Sequence, residues 1–81
     1  MNKLLLLITT VPNQLMAEEI AKELIKGKLA ACVSLKEIKS IYKWQGNIEE
    51  NKEIEITIKS LPENLNELTL ILKEKITYEV P

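Results

Sequence analysis

Residues 41–60, IYKWQGNIEENKEIEITIKS, contain a glycine turn followed by a strict alternation of apolar and polar side chains. Ile54, Ile56 and Ile58 alternate with charged or hydroxyl side chains, a pattern typical of a β-strand with one buried face. The QGN triplet predicts a turn, and residues 29–44 before it also have the character of a strand. We therefore predict a long β-hairpin over residues 29–59.

The first strand of this hairpin changes its apolar face half-way along. Val33 and Leu35 share one parity, whereas Tyr42 and Trp44 share the other. Because side chains alternate regularly along a strand, the switch near residues 36–37 predicts a β-bulge or a strong local twist.

The segments on either side of the hairpin predict one more strand and two helices. Residues 3–10, KLLLLITT, are apolar at both parities, which is typical of a central strand covered on both faces. An amphipathic helix follows, with Asn13 as its N-cap and Gly27 as its C′ residue. After the hairpin, Ser60 as N-cap, with Pro62 in the first turn and Glu63 as capping-box partner, predicts a second helix to about residue 75.

The order β-α-β-β-α predicts an α+β fold of the ferredoxin-like type, formed by a single domain over residues 1–81. The closing ITYEVP would only begin the last strand of that plan, which normally pairs with the first strand. An uncovered strand edge promotes aggregation. We therefore expect either that another subunit covers the first strand, or that the chain is a shortened form of a longer protein.

Composition excludes several classes of function. The 81 residues carry 11 basic and 12 acidic side chains, a net charge of -1, so we expect no nucleic-acid partner, which would need a basic face. No apolar run is long enough to cross a bilayer, and the one at the N-terminus is too short for a secretion signal. A single cysteine cannot form an internal disulfide, which favours a cytoplasmic location.

The sequence also argues against an enzyme. It contains no histidine, aspartate or arginine, so the usual nucleophile–histidine pairs and phosphate-binding guanidinium groups cannot form. Glu49 and Glu50 are neighbours near the predicted turn, and we interpret them as a solvated polar rim rather than an acid–base pair. We expect no catalytic residues and no certain cofactor.

Cys32, Tyr42 and Trp44 each allow two interpretations. A lone cysteine within LAACVSL is either a small core side chain or a thiolate ligand for a soft ion such as Cu(I), joined by a glutamate or by its symmetry copies. The two aromatic residues either cover the tip of the hairpin or anchor a contact between subunits. We favour the subunit contact, because an isolated two-stranded ribbon is barely stable and aromatic side chains are enriched at interfaces.

Five sequence segments together resemble the CutA family of divalent-cation tolerance proteins. They are TTVPN after the first strand, LAACVSL, IYKWQGNIEENKE, IKS before the second helix, and the closing YEVP. The resemblance extends over essentially all 81 residues. It implies a ferredoxin-like subunit in a compact homotrimer, whose long hairpins pack against neighbouring subunits, with Gly46 in the hairpin turn.

The resemblance also implies a set of site residues. The cysteine that is regarded as a possible copper ligand in the family corresponds to Cys32. The family's closing His-Pro-Tyr-Glu-Val-Pro begins here with Ile76 and Thr77, so a Cys-His site cannot form. We expect an inter-subunit cleft or interface that is lined by Tyr42, Trp44, Glu53, Lys59, Tyr78 and Glu79.

The resulting hypothesis is a cytoplasmic homotrimer for divalent-metal tolerance, with copper as the candidate ion, that acts as a binding or signalling module. The alternative is a structural homotrimeric scaffold that engages another protein and binds no metal directly. Loss of copper binding on Cys32→Ala would support the first hypothesis. A bound protein partner with no effect of Cys32 would support the second.

Overall fold

The computed structural model of the chain describes residues 3–76, in the order β-α-β-β-α. The strands are β1 (Leu5–Val11), β2 (Cys32–Trp44) and β3 (Asn47–Ser60), and the helices are α1 (Gln14–Lys26) and α2 (Leu65–Lys75). Together they form an antiparallel sheet of order β1-β3-β2 with the helices on one side. This is the predicted ferredoxin-like α+β fold.

The core lies between the helices and one face of the sheet. The even-numbered side chains of β3 point into this core. Side chains of α1 and α2 that are three or four residues apart in sequence pack against them. The buried apolar side chains are Val11, Ala17, Ile20, Leu24, Ile54, Ile56, Ile58, Leu68 and Leu72. Neither helix described between residues 3 and 76 combines the length and the apolar character needed to cross a bilayer.

The opposite face of the sheet, which we call the open face, has no helix over it within residues 3–76. Leu6 and Ile8 of β1 point to this face and are 54% and 55% exposed. Within residues 3–76 this face of β1 is uncovered, so the predicted central strand with both faces covered is not observed there. In the described part of the chain, β1 is an edge strand, and the extended element predicted after α2 lies mostly outside the described residues.

The β2–β3 hairpin extends well beyond the rest of the sheet. β1 pairs with β3 only as far as the Val11–Ile54 pair, so residues 38–53, here called the arm, have no third strand beside them. Each strand of the arm projects by about 20 Å, and the molecule measures 45 × 25 × 21 Å. Gln45 and Gly46 close the hairpin with φ values of 50° and 83°, as a two-residue type I′ turn requires.

The predicted β-bulge near residues 36–37 is wrong. β2 pairs with β3 in one continuous register from Cys32–Lys59 to Trp44–Asn47. The apolar face changes because the covering elements change. Val33 and Leu35 pack against the core near the helices, whereas Tyr42 and Trp44 belong to the arm and point to the open face. The backbone alternation is unbroken.

The beginning of α1 matches the prediction, but its end does not. The Asn13 side chain accepts a hydrogen bond from the Met16 N–H at 2.9 Å, which confirms the N-cap. Gly27 is the C-cap, with an ordinary φ of -79°, and Lys28 occupies the left-handed C′ position with φ 60°. Hydrogen bonds from Lys28 N–H to Ile25 O and from Leu29 N–H to Leu24 O complete a Schellman motif.

Ser60 is not the N-cap predicted for the second helix. A 3-10 turn, Pro62–Asn64, precedes α2, and no side chain caps either element. Ser60 is instead buried, donates a hydrogen bond to the Leu29 carbonyl oxygen at 2.5 Å, and accepts one from Asn64 Nδ2 at 3.0 Å. It therefore ties the end of β3 to the segment that leads from α1 into β2. Pro62 does lie in the first turn.

Candidate functional site

The predicted site residues that the structure describes all belong to the open face. Cys32, Tyr42 and Trp44 have even numbers in β2, and their register partners in β3 have odd numbers, like Glu53 and Lys59. Paired side chains of a sheet point to the same side, and the opposite parity of β3 forms the core. These five residues therefore share one face of the sheet. Tyr78 and Glu79 lie outside the described residues.

These residues do not form one compact site within a single chain. Trp44 lies twelve positions after Cys32 along β2, a distance of about 40 Å in an extended strand. Cys32 and Lys59 are paired at the base of the sheet, and Glu53, Tyr42 and Trp44 belong to the arm. A single chain thus places the candidate metal ligand beside Lys59 and far from the predicted cleft residues of the arm.

Cys32 is a free and exposed thiol, so the interpretation of Cys32 as a core side chain is wrong. Its register partner is Lys59, whose other partner across the sheet is Leu6. An ammonium group and an aliphatic side chain are not ligands for a cation. Within residues 3–76, no three His, Cys, Asp or Glu side chains cluster closely enough to hold a metal ion. One thiolate alone does not make a copper site.

A polar cluster fixes Glu53 at the root of the arm. The Glu53 carboxylate accepts hydrogen bonds from the Thr10 hydroxyl, at 3.5 Å, and from the Ser40 hydroxyl. Thr10 is the last residue but one of β1 and Ser40 lies in β2, so the carboxylate links all three strands where the arm begins. Neither hydroxyl residue was predicted from the sequence to belong to the site. Thr10 lies within the TTVPN segment, which is the signal that could have identified it.

Two aromatic side chains follow on the same face of the arm. The Tyr42 hydroxyl accepts a hydrogen bond from Asn51 Nδ2, across the two strands. Trp44, one residue before the turn, is 36% exposed although no other chain covers it. The arm thus presents a polar pair and an indole side by side. Such amphipathic aromatic groups are typical of protein interfaces.

A cavity of about 400 Å³ opens beside Glu53 where β1 ends and the arm begins. Charged side chains of both signs line it, together with the residues that cap α1. The lining residues are Pro12, Asn13, Gln14, Glu37, Lys52, Glu53 and Ile54. Of the residues predicted to line the cleft, this cavity includes Glu53. Its mixed charge favours neither a simple anion nor a simple cation.

Glu49 and Glu50 are exposed, as predicted for a polar rim. Glu50 forms an ion pair with Lys39 across the arm at 3.3 Å, with both side chains more than half exposed. Such pairs contribute little to stability. This geometry gives the two carboxylates no acid–base partner among the described residues.

A profile of the family described as CutA1 divalent ion tolerance protein matches residues 5–81 of the chain. The chain belongs to the CutA1 family. The divalent-cation tolerance protein CutA of Pyrococcus horikoshii is 37% identical over 78 residues, which cover 96% of this chain and 76% of that protein. The human protein CutA is 42% identical over 72 residues, which cover 88% of this chain and 40% of that protein.

Solved structures of CutA1 proteins share the fold. The structure from the psychrotrophic bacterium Shewanella sp. SIB1 superposes with a TM-score of 0.91 at 34% identity, over 99% of this chain and 76% of that one. The Archaeoglobus fulgidus protein, described as a periplasmic divalent cation tolerance protein, superposes with a TM-score of 0.89 at 35% identity, over 98% of this chain and 78% of that one. The chain thus spans about three quarters of these relatives and of the Pyrococcus protein, but less than half of the human one.

Proposed function

We propose that the chain is a divalent-cation tolerance protein of the CutA type that acts as a homotrimeric binding or signalling module rather than as an enzyme. Membership of the CutA1 family over residues 5–81 is the observation that supports this proposal most strongly. The names of the relatives refer to tolerance of divalent cations rather than to a reaction. A cytoplasmic location is part of the proposal, because an exposed free thiol such as Cys32 suits a reducing compartment.

The open face supports self-assembly. Leu6 and Ile8 stand exposed next to each other on β1, and Trp44 is a separate exposed apolar side chain near the tip of the arm. Exposed apolar patches of this kind mark interaction sites in soluble proteins. A closed ring of three copies would cover the open face of each chain, and the projecting arm would gain a support that its two strands lack.

Copper binding, if direct, requires donors from more than one copy. One chain offers a single thiolate at the base of the open face, with Lys59 and Leu6 beside it. Thiolates are the ligands that Cu(I) prefers, and Cys32 from neighbouring copies would supply more than one. The arrangement couples metal binding to assembly, so that a monomer would bind copper weakly.

Copper titration of the reduced protein tests the metal proposal. Cu(I) competition between a chromophoric chelator and the protein should give saturable binding that is lost in Cys32→Ser, with fewer ions than chains because each ion takes more than one thiolate. When each of the two proteins is expressed in a copper-sensitive strain that lacks its own CutA, wild type should restore growth at raised copper better than Cys32→Ser does. Equal copper affinity of wild type and Cys32→Ser would contradict direct binding through the thiol.

The second candidate function is a homotrimeric scaffold that engages another protein, with only indirect effects on metal tolerance. The absence of a three-ligand cluster within residues 3–76 favours it. Under this candidate, Cys32→Ser would restore growth at raised copper as well as wild type does. The growth assay therefore distinguishes the two functions.

A further inference from the structure

A second cavity, of about 300 Å³, lies at the end of the molecule opposite the arm, and we call it the basal cavity. The start of β1, the end of α1 and the residues that follow β3 meet there. Its lining residues are Leu4, Ile25, Lys28, Ala30, Ala31, Ser60, Leu61 and Asn64. None of the site residues predicted from the sequence belongs to it.

Three large apolar side chains of the basal cavity are exposed. Leu4, Ile25 and Leu61 are 64%, 45% and 44% exposed, although they line one concave surface with two alanines. Concave apolar surfaces with a few polar groups are typical of binding sites. The volume is that of the smallest ligand pockets and suits one or two aliphatic side chains rather than a large cofactor.

Lys28 gives the cavity a charge and is itself in a strained conformation. It supplies the charged side chain of the lining, and within residues 3–76 no carboxylate forms an ion pair with it. Lys28 has a φ of 60° at the C′ position of α1, where glycine is the usual residue. The glycine at this helix end, Gly27, is one residue earlier, at the C-cap. Departures from local preference of this kind are expected at functional positions.

We propose that the basal cavity binds another protein through an extended segment in which an aliphatic side chain is next to a carboxylate. The aliphatic side chain would occupy the space between Leu4, Ile25 and Leu61, and the carboxylate would meet the Lys28 ammonium group. Charge complementarity determines the choice of partner, because among residues 3–76 the lining carries a lysine and no acidic residue. The proposal goes beyond metal tolerance and is independent of copper binding.

Amide NMR of the full reduced chain tests this proposal with a synthetic peptide of alternating leucine and glutamate. Saturable shifts should appear at Lys28, Ala30, Ala31 and Leu61, and a peptide of alternating leucine and lysine should bind more weakly. No saturable shift up to about 1 mM peptide, or equal binding of the lysine peptide, would overturn the proposal.

Matched variants make the test specific. Leu61→Ser should weaken binding about tenfold, because an apolar contact is lost; serine is favoured at this helix N-cap position, so the fold is retained. Leu70→Ser removes a leucine that is 64% exposed outside the cavity and should leave binding unchanged. Lys28→Asn should weaken binding about threefold, and Lys28→Arg should preserve it.

Three further results would refute the proposed partner. An equal effect of Leu70→Ser and Leu61→Ser would mean that the peptide does not bind at the basal cavity. Shifts of the same amides with decanoate, in the absence of any peptide effect, would assign the cavity to a fatty acid. Shifts that grow with protein concentration in the absence of peptide would assign it to a second copy of the chain.

Discussion

Substitution of Lys28 by glycine should stabilise the protein, because the end of α1 places a lysine where glycine is preferred. The φ of Lys28 is 60°, and a left-handed conformation costs an L-residue about 1–2 kcal/mol. Glycine avoids this cost but makes the unfolded chain more flexible, which offsets about 0.5 kcal/mol. The net gain in the free energy of unfolding is therefore about 1 kcal/mol, or a rise in Tm of about 4–8 °C.

The matched control is Lys28→Ala. Alanine removes the same charge from the helix C-terminus but keeps a β-carbon, so it retains the strain. Urea titrations of both variants, followed by circular dichroism at one fixed protein concentration, should place Lys28→Gly above Lys28→Ala by about 1 kcal/mol. If the two variants unfold at the same urea concentration, the left-handed C′ assignment is wrong.

Three other substitutions test separate parts of the structure. Gly46→Ala should lower the free energy of unfolding in urea titration by about 1 kcal/mol, because Gly46 has a φ of 83° in an uncrowded turn. An unchanged urea midpoint would contradict the type I′ turn. Ser60→Ala should lower the free energy of unfolding by about 1–3 kcal/mol in the same assay, because Leu29 O and Asn64 Nδ2 each lose a hydrogen-bond partner. A loss below about 0.5 kcal/mol would mean that water replaces the hydroxyl. Trp44→Ala should reduce the free energy of assembly by about 2 kcal/mol per subunit. Sedimentation velocity should then show a shift from trimer toward monomer. An unchanged trimer at low micromolar concentration would refute the role of Trp44 as an interface anchor.

The fold was predictable where local chemistry and tertiary packing agree. The alternation around Ile56 predicted β3, the spacing after Asn13 predicted α1, and the glycine turn predicted the hairpin. The bulge prediction failed because periodicity reports which face is covered, and the arm is not covered by helices. Ser60 was missed because its hydroxyl bonds to the carbonyl of Leu29, 31 residues away, and helix-end rules consider only neighbours in sequence. Lys28 was missed because Gly27 was taken as the C′ residue, whereas the Schellman hydrogen bonds place Lys28 there.

The candidate site was predictable only in part. The family resemblance selected residues that share the open face, and the register places Cys32 opposite Lys59 as a pair. Thr10 and Ser40 could not be linked to Glu53 from the sequence, because their hydrogen bonds depend on where β1 ends against the arm. The sequence offers Cys32 as a copper ligand without a histidine to complete the site. Among the described residues, no group of three potential ligands completes it either.

Native mass spectrometry of the reduced protein tests most directly whether the open face is a self-assembly surface. Wild type should appear as a trimer, and the double variant Leu6→Glu, Ile8→Glu should appear as a monomer with unchanged helix content. Both side chains are already half exposed, so the carboxylates remain hydrated in the folded monomer, and assembly would bury them. A monomeric wild type, or a double variant that remains trimeric, would contradict the account.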